Sequence, residues 1–165
     1  MSRLFPHPDY AEDQPFGHTI LALHALSRGF ALGAGAGSAI HLVRRLVRPG
    51  SPTPSLLASS GTGALVGTGL LALGLLGRMR GREEIEWKDR SWRLLWNRGQ
   101  KEVDDWLVAG AVLGAAGVVV ARRELRGLGA RAVIGGMGLG GLAGMLGQSA
   151  WRYGIRGGFE EEKVV

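Results

Sequence analysis

The sequence predicts an all-α integral membrane protein with about four glycine-rich transmembrane helices and a candidate interfacial helix between spans two and three. The charge distribution is the first reason. Asp, Glu, Lys and Arg are absent from Pro49 to Gly77 and again from Ala132 to Trp151. Each gap is long enough to cross a hydrocarbon core of ~30 Å, which takes about 20 apolar residues in a helix. Glycine is the second reason: 29 of the 165 residues are Gly, most of them interleaved with Leu, Ala and Val in apolar segments. In water each interior helical Gly costs about 1 kcal/mol relative to Ala, which disfavours a soluble four-helix bundle of this composition. In a bilayer the backbone has to hydrogen-bond internally, so helices form despite Gly and small residues let them approach closely. Collagen is excluded, because only 6 Pro are present and Gly follows no period of three. A hydrophobic content of 45% excludes a disordered glycine-rich chain.

The elements follow in order. Residues 1–16 carry Pro6, Pro8 and Pro15 and are expected to form an extended tail. Its charges, Arg3 against Asp9, Glu12 and Asp13, match neither a secretory leader nor an Arg-rich amphipathic presequence. A single membrane domain is expected over 17–151. Its first span, 17–43, is apolar apart from Arg28, His24 and His41, and a short loop with Arg44, Arg45 and Arg48 leads into the second, 55–77. The stretch 78–105 is polar, and in it Ile85, Trp92, Leu95 and Trp96 fall near one helical face with acids early and Arg later. That is the pattern of an amphipathic helix in the headgroup region. The third span, 106–121, is short for a bilayer and calls for snorkelling ends or local thinning. A tight loop with Arg122, Arg123, Arg126 and Arg131 against Glu124 precedes the fourth span, 132–151, and residues 152–165 form a tail.

With four spans both termini share one side and the two short loops the other. Counting Lys and Arg alone would put the long polar stretch inside. The short loops are nevertheless assigned to the inside, because almost nothing in them offsets their Arg.

Small residues recur four apart on every span: Gly29, Gly33 and Gly37; Gly63 and Gly67; Gly110 and Gly114; Gly136, Gly140 and Gly144. At helical pitch each set lies on one face, suited to tight helix crossings. The nucleotide-binding look-alike from Gly138 to Ala143 follows no strand and is set aside. The chain has no Cys, and His7, His18, His24 and His41 are scattered without ligand spacing, so no catalytic residue, cofactor site or metal site is expected. Arg28 falls near the middle of its span, where a charge costs at least about 3 kcal/mol. It should face a partner, a water-filled cavity or a lipid phosphate, unless the span begins there and the side chain snorkels. Arg44, Arg45 and Arg48 suit anionic headgroups, and Trp87, Trp92, Trp96 and Trp106 suit an aromatic belt.

Two resemblances enter here. Four glycine-rich spans with small-residue faces and basic short loops resemble the mitochondrial inner-membrane family that holds the import translocase channel subunits. More specifically, HPDY…QPFGHT, from His7 to Thr19, and DRSWRLLWNRGQKEVDDW, from Asp89 to Trp106, resemble a small family typified by a supernumerary membrane-arm subunit of fungal respiratory complex I. This second resemblance implies a non-catalytic accessory subunit of NADH:ubiquinone oxidoreductase in the mitochondrial inner membrane; with the short basic loops inside, the termini are then expected on the intermembrane-space side. The implied partners are other complex I membrane subunits and membrane lipids, with neither nucleic acid nor a small-molecule substrate. No cofactor is implied beyond a structurally bound phospholipid such as cardiolipin. The alternative is a translocase or channel component, in which Arg28, Ser38, Thr62, Thr68 and Gln148 would converge on a hydrophilic groove.

Overall fold

The computed structural model describes residues 2–50, 52, 54–121 and 129–156, and among them every regular element is helical. Five α-helices follow one another: α1 (Gly17–Val47), α2 (Leu56–Met79), α3 (Glu84–Trp96), α4 (Arg98–Ala121) and α5 (Ala130–Ser149), the last running on into a π-helical turn, Ala150–Ile155. Local chemistry sets several of the boundaries. Ser55 caps α2 by accepting from the Ala58 N–H at 3.2 Å, and Asn97 caps α4 by accepting from the Gln100 N–H at 3.0 Å. The turns that follow α1 and α2 each use a glycine at positive φ, Gly50 at 93° and Gly81 at 72°, a conformation that a Cβ would strain.

α2, α4 and α5 with its π turn are long and apolar enough to cross a membrane. Their outer surfaces carry the large side chains: Leu65, Val66, Leu70, Leu73 and Leu76 on α2 and Val112, Leu113 and Val120 on α4 are all exposed. The buried set is dominated by small residues such as Ala31, Ala34, Ala64 and Ala111. Leaving a large aliphatic side chain in water forfeits about 1.5–3 kcal/mol, so this distribution suits helices whose outer solvent is lipid. The molecule is a membrane protein on these grounds.

Several expectations are corrected. Of the four expected spans, three meet length and composition; the remaining one, α1, has 31 residues and carries Arg28, Arg44 and Arg45. The third span is not a short helix from 106. It begins at Arg98 and has 24 residues, because the charged stretch Lys101–Asp105 is helical rather than loop. The N-terminal tail is not extended: it forms 3-10 turns at Ser2–Leu4 and Ala11–Asp13 and folds back on α3. Helix α3 exists as expected, but its inward face is Ser91 and Leu95, while Ile85 and Trp96 of the expected apolar face are exposed. Arg122, Arg123, Glu124 and Arg126 lie outside the described residues, as does the tail beyond 156.

The helices pack as two antiparallel pairs, α1 with α2 and α4 with α5. The pairs meet through α2 and α5, with α5 also touching α1, and α3 lies against α1. Consequently the N-termini of α1 and α4 and the C-termini of α2 and α5 share one end with α3 and the tail. Arg44, Arg45, Arg48 and Arg131 mark the opposite end.

Candidate functional site: glycine seams, a paired-charge end and an arginine end

Within each helix pair the glycines bring backbone onto backbone. A Cβ built at Gly33 would lie 2.9 Å from the Gly67 Cα, and one at Gly63 would lie 2.8 Å from the Gly37 Cα; both would also overlap the opposing glycine's carbonyl oxygen. Gly29 and Gly37 meet the carbonyls of Gly67 and Ser59 in the same way. In the other pair, a Cβ at Gly114 would lie 3.0 Å from the Gly140 Cα and one at Gly140 would lie 2.9 Å from the Gly114 Cα. Gly110, Gly136 and Gly144 complete that seam, facing Gly140, Gly114 with Val118, and the Trp106 carbonyl. All ten glycines singled out by spacing therefore sit against a neighbouring helix. Carbonyl oxygens held this near a facing Cα suit the weak C–H···O contacts of tightly crossed helices.

A third crossing escaped the spacing rule. Gly61 of α2 and Gly135 of α5 face each other, their added Cβ atoms falling 3.2 Å and 2.9 Å from the other's backbone N. Each helix offers one glycine here, against the Arg131 or Leu57 carbonyl, so no four-residue repeat announces the contact. Conversely, Gly69, Gly74 and Gly77 of α2 and Gly117 of α4 have open space where a Cβ would be.

Arg28 has a partner within the chain. Its guanidinium donates to Asp104 Oδ1 at 2.6 Å and to Gln100 Oε1 at 3.2 Å, with side-chain exposures of 12% for Arg28 and 5% for Asp104. His24 Nδ1 lies 3.4 Å from the other Asp104 oxygen. This ties α1 to α4 at the level where α4 has just begun. A second, part-buried group, Gln148 and Arg152 donating to Glu102, joins α5 and its π turn to α4 at the same end. Asp104 and Glu102 were missed because acids before Trp106 read as loop. The available signal was complementarity, a lone base in one span facing lone acids at the start of another.

The polar residues required by the channel alternative do not converge. Ser38 and Ser60 hydroxyls meet at 2.6 Å, Thr62 and Thr68 bond back to the Ala58 and Ala64 carbonyls of their own helix, and Gln148 turns to Glu102.

The tryptophans are engaged by protein. Trp92 Nε1 donates to the Pro8 carbonyl at 2.9 Å, the His7 ring lies 4.7 Å from that of Trp96, and the His18 ring stacks on Trp87 at 4.1 Å. Gln14, fully buried, donates to the Pro6 and Pro15 carbonyls, and Lys88 Nζ donates to the Glu12 carbonyl at 2.9 Å. Arg3 pairs with Asp105 at 2.6 Å, and that acid raises the guanidinium's pKa above its usual value. His7 titrates below the ordinary histidine range, first because of burial and then because of Lys101, against a smaller opposing pull from Asp9. Trp106 remains partly exposed, its carbonyl against Gly144 and its ring against Gly147. Of the four candidate lipid-facing Trp, then, Trp92 and Trp96 are engaged by the tail and Trp87 by His18 at the start of α1.

The opposite end differs. Arg44, Arg45, Arg48 and Arg131 are exposed, and none has an ion-pair partner among the described residues. Grooves run along the outside of both seams. The α1–α2 groove, about 500 Å³, ends at Arg44; the α4–α5 groove, about 690 Å³, ends at Asp105 and Trp106. Among the described residues no cluster of His, Cys, Asp or Glu could hold a metal ion.

Fold and site together define a class: an all-helical membrane protein whose helices are joined by backbone-close glycine seams. No family profile matches the chain, and no curated protein is significantly similar to it.

Proposed function

We propose that this chain is a non-catalytic accessory subunit of mitochondrial NADH:ubiquinone oxidoreductase, seated in the inner membrane against core subunits of the membrane arm and their lipids. One observation carries most of the weight. The two stretches that resemble the fungal accessory-subunit family, His7–Thr19 and Asp89–Trp106, lie far apart in sequence yet pack on each other through Trp92 and Pro8 and through His7 and Trp96. A shared folded unit at one end of the bundle is what such a pair of stretches would build. The unfilled Gly69, Gly74 and Gly77 and the exposed leucines of α2 give a second helix a surface to pack on.

In this reading α1 is the fourth span, about 46 Å long at 1.5 Å per residue. Its interior charge is neutralised by Asp104. Helix α3 lies at the membrane surface, and the termini face the intermembrane space. The chain's contribution is assembly or stability of the complex, since the charged groups between its helices, Arg28 with Asp104 and Arg152 with Glu102, are used in structural pairs. The test is native electrophoresis of mitochondria solubilised in mild detergent. The chain is expected in the NADH-oxidising band, and depletion of the chain is expected to lower the yield of that band. Migration with a protein translocase instead would replace this reading with the channel alternative.

A further inference from the structure

We infer that the groove outside the α1–α2 seam is a binding site for one anionic phospholipid, an acyl chain lying along the glycines and its phosphate at Arg44. The inference rests on the membrane reading of the chain and not on membership of any complex.

The groove runs beside α1 from Gly29 to Arg44, about 22 Å at helical rise, longer than the roughly 15 Å depth of one hydrocarbon leaflet. Its walls are apolar, Leu32 and Ile40 on one side and Val66 and Leu70 on the other. Its floor is the seam itself, where glycines leave a trough that larger residues would fill. One end is apolar and the other is not. At that end sit Arg44, exposed and without an ion-pair partner among the described residues, and His41. The His41 side chain is buried, the residue being 8% exposed, and its Nδ1 lies 3.4 Å from the Ser59 hydroxyl. His41 thus adds a second polar side chain at the Arg44 end of the groove. Arg45 and Arg48 lie within a turn of Arg44, and α1 and α2 present no acid there. An apolar trough of leaflet depth closed by a guanidinium and an imidazole is complementary to a phosphodiester with an acyl tail.

The other seam supplies an internal contrast. Its groove is of similar size and equally apolar along its length, but it ends at Asp105, a carboxylate paired with Arg3, and its lining holds no Arg, Lys or His. Of these two grooves, a cationic side chain lines only the one on the α1–α2 side.

The test uses the full-length chain in mild detergent, titrated with phosphatidylglycerol or with phosphatidylcholine of the same acyl chains and read by native mass spectrometry. The wild type is expected to retain one phosphatidylglycerol about tenfold more tightly than phosphatidylcholine, the scale of a charge-assisted hydrogen bond. Arg44→Gln should bring phosphatidylglycerol down to the phosphatidylcholine level. Ala36→Phe, which fills the trough from an exposed position away from the seam, should weaken both lipids. Thr62→Phe fills it from the α2 wall and replaces Ala36→Phe should circular dichroism show that variant misfolded. Arg131→Gln, at the same end but outside the groove, should change neither. Equal losses in Arg44→Gln and Arg131→Gln, undiminished retention in the filled variants, or displacement of the signal by inorganic phosphate would each overturn the site. A chain that binds no lipid of either kind would instead count against the membrane reading.

Discussion

The two glycine seams use one device and end in opposite ways. In both, glycines four apart place a Cα under the facing helix's carbonyl, with Gly33 against Gly63 in α1–α2 and Gly114 against Gly140 in α4–α5. The α4–α5 seam is closed at one end by Gln148 and Arg152 on Glu102, and its groove ends at Asp105, itself held by Arg3. The α1–α2 seam is pinned near the start of α2 by neutral hydroxyls, Ser38 on Ser60, and its groove ends at an arginine that pairs with nothing described. Close approach is thus a backbone property shared by the two pairs, whereas the chemistry presented at their ends depends on a few side chains. A seam closed by its own ion pairs is occupied with internal work; one with a free cation at its mouth can engage something else.

The largest effects should come from the seams themselves. Leucine at Gly33, Gly63, Gly114 or Gly140 has to push a backbone carbonyl rather than a flexible side chain, so each substitution should destabilise by about 3 kcal/mol or more. Gly69→Leu, which enters open space, should change stability by less than about 0.5 kcal/mol. Reversible unfolding in mixed micelles measures all five. Equal tolerance at Gly33 and Gly69 would remove the premise that the seams hold the fold.

Next in size is the tie between the two pairs. Removing one partner of a buried ion pair leaves the other charge uncompensated, so Arg28→Leu and Asp104→Leu should each cost about 3–5 kcal/mol, with much of that recovered in the double variant. Additive losses across this cycle, in the same unfolding assay, would mean that the contact does not couple α1 to α4.

The smallest effect concerns the tail that closes the paired-charge end. Because burial and Lys101 hold His7 below its usual titration range, the docked tail favours neutral imidazole. Its contribution is present above the unfolded value near 6.5 and is lost as pH falls through the lower folded value. Protection of the Trp92 indole N–H, which donates to Pro8, should therefore decline as pH falls below about 6.5, and His7→Phe should flatten the profile. Hydrogen exchange followed by NMR reads this directly, and a flat profile in the wild type would detach the tail's docking from His7.

Much of this was legible in the chain itself. Gaps in charge located α2 and α5 to within a few residues, because hydropathy and helical length are local properties. They misplaced the start of α4, because Glu102 and Asp104 look like loop residues until Arg152 and Arg28 neutralise them. Pro6, Pro8 and Pro15 read as an extended tail, since nothing local reveals that their carbonyls or neighbours will be captured by Gln14 and Trp92.

The sequence by itself determined an all-helical chain with apolar membrane-length segments, and it determined which face of each helix is smooth. Those follow from the periodicity of one helix at a time. The tertiary structure alone decided that α1 pairs with α2 and α4 with α5, that single glycines at Gly61 and Gly135 join the pairs, and that Arg28 finds Asp104. A smooth face accepts any other smooth face, so the choice among partners falls to register and to the few charges that have to meet when backbones come this close.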